Sequence, residues 1–361
     1  MGRILRKKYP GINPAFLAAA VELVTARSRA RQKFTRAAGM FFTREALEQA
    51  SEERVAAHRA ERFAGLERVC DLCCGIGGDA IALGRVAGRL TAVDNDPARV
   101  LFCRENLRIH GIPADVVEAD ALSFLEKMAA FDSMFIDPSR RPGGRRTKRL
   151  EAMEPPLSAV EELLSRAPGG AAKLPPALDP GEIGIEHELE WVSTETGLKE
   201  AVMWTGALKR AKATVSLVHR GVSITDRNVP SSVPGIREAG EFLYEPDPAL
   251  IRSGLLAGKA AALGMWLLDR HIAYTSSDIL IHDPFFTGYR IIDSLPFNLN
   301  KLRDHLENLR AGPVTVKKRG FPLEPEEILK KLDLAGDCPV TIVLTRIGNR
   351  HHVFVVEPAE Q

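Results

Sequence analysis

The sequence has no apolar run long enough to cross a membrane: its longest such stretch, Ala257 to Leu268, is broken by Lys259 and falls short of the roughly 20 residues a span requires. No secretory leader is expected either. Met1 to Pro10 is basic, but neither an apolar core nor a small-residue cleavage site follows it. Cysteines are few and odd in number, five, and four of them crowd between Cys70 and Cys103, which suits reduced thiols and a cytoplasmic location. No second close-spaced Cys or His pair of zinc type accompanies Cys70, Cys73, Cys74 and Cys103, so they read as small buried side chains and no metal is expected. Net charge is scarce too. At +2 the field of the whole chain draws nucleic acid only weakly, and any such affinity must rest on local patches. There is no internal repeat or low-complexity tract.

What is present is a chain of 361 residues, 45% apolar, able to bury a core spread over two or three structural units. From Asn13 to Ala64 the apolar residues recur at helical intervals, Pro14 is placed to start a helix, and a second helix fits Ser51 to Phe63. This defines an N-terminal helical module, residues 1–65. After Gly65 short apolar runs alternate with amphipathic stretches, the pattern of a parallel sheet covered by helices. Strands are expected at Arg68 to Leu72, Leu90 to Val93, Asp115 to Glu118, Ser133 to Ile136 and Ala171 to Leu174, with helices at Ala80 to Val86, Pro97 to His110 and Pro156 to Arg166. Leu189 to Ser193, Leu198 to Trp204 and Thr214 to Val218 read as antiparallel strands. The Pro, Ser and Gly-rich stretch Asn228 to Gly240 reads as a loop and places a boundary after residue 232. An accessory α/β region, 233–361, follows, with a helix over Pro248 to Arg270. Strands are expected there at Val314 to Lys317, Val340 to Thr345 and His352 to Val356, and a helix at Pro325 to Leu332.

Four features of the middle region fall at strand ends, where open α/β sheets bind ligands. The first is Asp71-Leu72-Cys73-Cys74-Gly75-Ile76-Gly77-Gly78-Asp79, a glycine-rich turn between strand and helix. Alone it serves equally as a plain connection or a nucleotide site. Its acid, Asp79, would repel a pyrophosphate but suits a zwitterionic amino acid, which favours S-adenosylmethionine over a dinucleotide. The second is Asp94-Asn95, where Asp94 can accept from ribose hydroxyls or cap the helix that begins at Pro97. The third is Asp120-Ala121, with Asp120 able to accept from the adenine amine or to cap the next helix. The fourth is Asp137-Pro138-Ser139-Arg140, where an acceptor would meet the transferred methyl group. A basic run follows it, with Arg140, Arg141, Arg145, Arg146, Lys148 and Arg149, and a second stands at Lys317-Lys318-Arg319. Either run is a solvated face or a phosphate contact; the position of the first favours phosphate. Phe285, Phe286 and Tyr289 could stack bases, but their apolar neighbours favour core packing.

With Pro97, Asn106 and Gly111, these residues resemble class I S-adenosylmethionine-dependent methyltransferases, in motif I the trimethylguanosine synthase-like branch. That branch has a Ser-Pro-Pro-Trp type signature where this chain has Asp137-Pro138-Ser139-Arg140-Arg141. Phe42 to Ala50, Lys173-Leu174-Pro175-Pro176, Lys317 to Pro322 and Thr341 to Arg346 are similar to bacterial RNA methyltransferases with a THUMP-like C-terminal domain. The resemblance implies a Rossmann-like class I domain over 66–232, a ferredoxin-like segment at about 280–313 and a THUMP-like domain at about 314–358. It implies S-adenosylmethionine as cofactor, held by Asp71, Cys73, Gly75, Gly77, Gly78, Asp79, Asp94, Asn95, Asp120 and Ala121, and RNA, either tRNA or rRNA, as partner. Amino-methylating relatives hold the acceptor amine with an acid or amide and a backbone carbonyl, here Asp137 and Pro138, in a turn completed by Ser139 and Arg140. RNA phosphates would then meet Arg141, Arg145, Arg146, Lys148, Lys317, Lys318 and Arg319. Carbon-5 pyrimidine methylation is disfavoured, because after Cys103 the only cysteine is Cys338. The other readings are a small-molecule methyltransferase, and an RNA-binding protein with an inactive methyltransferase domain.

Overall fold

Val69-Cys70-Asp71-Leu72 and Ser133-Met134-Phe135-Ile136 are short runs with almost nothing polar in them, as expected of central strands covered on both faces. In the computed structural model, which describes residues 11–127, 131–139 and 149–359, they form β1 (Arg68–Leu72) and β4 (Ser133–Ile136). With β2 (Arg89–Asp94), β3 (Asp115–Glu118) and β5 (Gly169–Leu174) they build a parallel sheet in the order β3-β2-β1-β4-β5. The order continues through β7 (Gly197–Gly206), antiparallel to β5, to β6 (Glu188–Thr194). The chain leaves β1 for β2 and β3 and returns to β4 on the other side. The strand order therefore reverses between β1 and β4, where such sheets leave a crevice at the strand C-termini.

Ahead of β1 come α1 (Pro14–Ala30), α2 (Arg44–Gln49) and α3 (Glu53–Ala60). The turn after α3 is tied to the antiparallel strands: Arg62 donates to both oxygens of Glu188, at 2.9 and 2.7 Å, and lies 4.2 Å from the Trp204 ring centre. His58 Nε2 sits 2.7 Å from Glu190. Between the parallel strands run α4 (Gly78–Leu83), α5 (Pro97–His110), α6 (Ala121–Lys127) and α7 (Leu157–Ser165). The bounds of α5 follow from its sequence: Asp96 caps Ala98 and Arg99, Pro97 takes the first turn, and Gly111 ends the helix at φ 69°.

The chain divides into two compact units: Met1–Val192 with Lys199–Lys212, and Ser193–Leu198 with Ala213–Gln361. The second unit holds the antiparallel hairpin β8 (Ala213–Leu217) and β9 (Val222–Thr225). It also holds a sheet in the order β11-β12-β10-β13-β16-β15-β14. The helix expected over Pro248 to Arg270 is three elements: α8 (Pro248–Arg252), α9 (Leu256–Ala262) and the short strand β11 (Trp266–Leu267). Gly254 and Gly264 break it at φ 75° and 73°, where the left-handed backbone ends a helix. Around β10 (Phe242–Pro246) and β12 (Thr275–Ser277) the sheet continues into β13 (Phe286–Pro296), α10 (Leu299–Asn308), β14 (Ala311–Lys318), α11 (Pro325–Leu332), β15 (Cys338–Ile347) and β16 (Arg350–Pro358). Alternation along β15 and β16 supplies both faces: Ile342, Leu344, Val353 and Val355 pack against Leu302, Leu306 and Ile328, whereas Val343, Phe354 and Val356 join Leu243, Trp266 and Tyr289. Phe285, Phe286 and Tyr289 are buried, so they serve the core. Among the described residues no helix is long and apolar enough to cross a membrane.

Candidate active site

The turn after β1 puts Cys73, Gly75 and Gly77 at positive φ, 61°, 56° and 86°. The glycines have different reasons to be there. A Cβ on Gly75 would meet no atom within 4 Å, so its backbone lies open to a ligand. On Gly77 it would come within 3.0 Å of Cys103 Sγ, so that residue is small for close packing, whereas on Gly78 it would make only an ordinary contact, 3.5 Å, with the Ser51 nitrogen. Asp94, at the end of β2, pins this turn: its Oδ2 accepts from the Gly75 N–H at 2.8 Å and its Oδ1 from the Asp96 N–H at 3.0 Å. Each carboxylate oxygen keeps a second lone pair for a ligand hydroxyl. Capping of α5 falls to Asp96, which leaves Asp94 to the site. Asp120 does both of the things open to it, accepting from the Ser123 N–H at 3.1 Å and facing the crevice.

A cavity of about 620 Å³ opens over these strand ends. Cys73, Gly75, Gly78, Asp79, Asp94, Asn95, Asp120, Ala121, Asp137, Pro138 and Ser139 all line it. Asp71 and Gly77 do not. Asp71 points into the protein beneath the turn, fully buried, with no hydrogen-bond partner on either oxygen among the described residues. Burial, and then the nearby Asp79 carboxylate, push its carboxyl well above the usual range, which favours the neutral acid. Burial likewise pushes the Cys73 thiol up, so the cysteine on the cavity wall is no thiolate nucleophile. Arg140, Arg141, Arg145, Arg146 and Lys148 lie outside the described residues. They lead from Ser139, whose backbone pairs with Glu154 in both directions, at 2.8 and 3.0 Å, on the cavity wall.

Two residues with no role foreseen in the sequence reading, Lys173 and Ser51, also line the cavity. Lys173 Nζ donates to Asp137 Oδ2 at 2.8 Å and to Ser51 Oγ at 3.1 Å. Ser51, just before α3, donates to Asp79 at 2.7 Å and accepts from Arg59 at 2.9 Å. Arg59 of α3 pairs with Asp79 and with Glu200 of β7. Burial alone would raise the Asp79 carboxyl, but Arg59, Lys173 and the hydrogen bonds from Arg59 and Ser51 bring it below its usual value. Asp79 therefore faces the cavity as a carboxylate paired from behind by Arg59 and Ser51. Lys173 left one signal, a lone charge in the otherwise small and apolar Gly169–Leu174 strand. Ser51 left none.

The second basic run is also occupied. Lys317 donates to Glu245 at 2.9 Å, Lys318 pairs with Glu324 at 2.8 Å, and Arg319 donates to the Pro246 carbonyl at 3.3 Å while stacking on Tyr274. These cations serve ion pairs inside the accessory unit.

The reversed parallel sheet with one antiparallel strand inserted after β5, the open glycine turn and the acid that pins it define a class I S-adenosylmethionine-dependent methyltransferase, and the cavity's own residues fit that cofactor. Residues 69–139 match the family described as methyltransferase domain, and residues 286–358 the family described as THUMP domain-like. The chain is 36% identical over 314 residues to the uncharacterized S-adenosylmethionine-dependent methyltransferases of Mycobacterium tuberculosis strains CDC 1551 and H37Rv, spanning 85% of this chain and 85% of each relative. It belongs with them to the S-adenosylmethionine-dependent methyltransferases, and it carries a THUMP-like domain. Its fold matches that of a Porphyromonas gingivalis W83 protein provisionally named a methyltransferase, with a TM-score of 0.81 at 22% identity over 97% of this chain and 92% of that one.

Proposed function

We propose that the protein methylates a nucleobase nitrogen in structured RNA, tRNA or rRNA, in the cytoplasm. The observation that carries this reading is the placement of Asp137 and Pro138 on the cavity wall at the end of β4; in the sequence the basic run 140–149 follows them directly. Carboxylates outnumber cations around the cavity, Arg99 and Lys173 being the two cations among its lining residues. Such a wall favours a sulfonium cation and a neutral base, and repels phosphate. The phosphates are then assigned to the arginines that follow Ser139 in the sequence. The THUMP-like unit supports an RNA partner in the same sense.

The cofactor supplies an electrophilic methyl carbon on sulfur. The residues proposed to hold it are the open backbone at Gly75 and Gly78 for its amino-acid part, Asp94 for the ribose hydroxyls, and Asp120 with Ala121 for the adenine. Asp137 and the Pro138 carbonyl accept hydrogen bonds from the acceptor amine and aim its lone pair, since an in-line displacement depends chiefly on alignment and exclusion of water. The methyl would pass to the nitrogen lone pair, with the carbon–sulfur electron pair left on sulfur. The surplus proton passes from nitrogen to Asp137 Oδ1 and on to water. Incubating the protein with methyl-labelled S-adenosylmethionine and total RNA from cells lacking it tests the reading. Label should enter RNA; label entering only a small-molecule extract would overturn it.

A further inference from the structure

Asp137 is not held by its own strand alone. Its Oδ2 is taken by Lys173 Nζ at 2.8 Å, while Oδ1 receives no hydrogen bond from a described residue. Lys173 is 7% exposed, and a buried ammonium needs its protons directed. One goes to Asp137 and another to Ser51 Oγ. That hydroxyl has one proton to give and two lone pairs, and all three are used: it gives to Asp79 and receives from Arg59 and Lys173. A saturated hydroxyl cannot turn, so Lys173 has one place to sit. Arg59 is fixed in turn by Asp79 and Glu200. The charges run carboxylate, cation, hydroxyl, cation, carboxylate, from Asp137 through Lys173, Ser51 and Arg59 to Glu200, with Asp79 bridging Ser51 and Arg59. The carboxyl of Asp71, the further acid close by, is pushed up first by burial and then by the Asp79 charge.

We propose that Lys173 is the positioning residue for Asp137: it occupies Oδ2, and so presents Oδ1 to the acceptor. Ser51, supplied by the segment ahead of β1, is then part of the same device, which makes the N-terminal helices a component of the methyl-acceptor side of the site. The proposal rests on Asp137 being the residue that receives the acceptor, and two independent measurements keep the two ideas apart.

The first measurement needs no acceptor. Crystal structures of the full-length protein, Lys173→Met and Lys173→Arg, each with S-adenosylhomocysteine, show where the Asp137 carboxylate points. It should rotate away from its place in Lys173→Met and return in Lys173→Arg; an unmoved carboxylate in Lys173→Met would overturn the proposal. The second is methyl transfer to RNA. Lys173→Met should lower kcat by about 100-fold, the usual cost of a misplaced reacting group, with the cofactor KM unchanged, and Lys173→Arg should recover part of it. Loss of cofactor binding in step with kcat would mean that Lys173 only supports the fold, and contradict the proposal. If the wild-type protein transfers no methyl to RNA, the substrate reading fails while the carboxylate position still decides the role of Lys173.

Discussion

Asp71 and Asp79 share one buried neighbourhood, yet their carboxyls shift in opposite directions, because Arg59 and Ser51 reach Asp79 and nothing described reaches Asp71. The consequence for stability has opposite signs. Asp79 titrates below its unfolded value, so its contribution is present above that value and is lost as pH falls through the folded one. Asp71 titrates well above its unfolded value of about 3.9, so the folded chain keeps a proton that the unfolded chain has released, and stability falls as pH rises through that window. Asp71→Asn removes the titration while keeping the shape. Urea unfolding should show the variant gaining on the wild type steadily from about pH 4 upward; parallel curves would rule out a neutral Asp71. Asp94 differs from both, since its two oxygens pin Gly75 and Asp96 and also face the cavity. Asp94→Ala should weaken S-adenosylmethionine binding in calorimetry by more than tenfold, as expected where charged hydrogen bonds worth about 1.5–3 kcal/mol each are lost. Affinity within a factor of two of wild type would place the ribose elsewhere. Asp94 is set apart by local backbone N–H groups. What separates Asp71 from Asp79 is the Arg59 and Ser51 contacts that reach only Asp79, and spacing along the chain does not encode those.

At the scale of elements, α2 covers one side of the cavity with Glu45, Ala46, Glu48 and Gln49. It is a short helix, held at its start by Thr43 Oγ1, which accepts from the Ala46 N–H at 3.0 Å. At its end Lys33 Nζ donates to the carbonyls of Leu47, Glu48 and Ala50, at 2.8, 3.4 and 3.0 Å. Burial, and then the positive charges of Lys173 and Lys199, lower the Lys33 pKa to about 8. Because the unfolded value is about 10.4, the folded chain binds fewer protons between the two, and stability rises with pH from about 8 to about 10.4. Lys33→Met should lose about 1–3 kcal/mol, the cost of leaving carbonyls without a donor, speed amide exchange in residues 44–51, and abolish that rise. Unchanged exchange there would show that α2 does not depend on Lys33. The short parallel strands and α5 were legible because each carries its own cap, proline or apolar run. The helix expected over Pro248 to Arg270 was not, since Gly254 and Gly264 sit inside an apolar pattern that a helix also satisfies. Nor was β13, whose Arg290, Ile291, Ile292 and Asp293 break the alternation a strand announces itself by.

For the whole molecule, the parallel sheet with its helices, the cofactor class and the accessory family were legible, since ordered strand-end acids and glycines are local signals. The partnership between the N-terminal helices and the site was not. Ser51, Arg59 and Lys173 are far apart in the chain, and an ordinary serine before a helix carries no mark of a buried hub. Position in the sequence already favoured the first basic run for phosphate, and Lys317, Lys318 and Arg319 find Glu245 and Glu324. If the protein binds RNA as proposed, Arg145→Glu with Arg146→Glu should weaken that binding and flatten its salt dependence, whereas equal binding at several salt concentrations would exclude these arginines. The central claim, a methyl group placed on an RNA base by Asp137, is tested most directly by mass spectrometry of nucleosides from total RNA of a strain lacking the gene. The account predicts that one nitrogen-methylated nucleoside is missing, and that the wild-type gene restores it while Asp137→Ala does not. A nucleoside profile identical to that of the parent strain would contradict it.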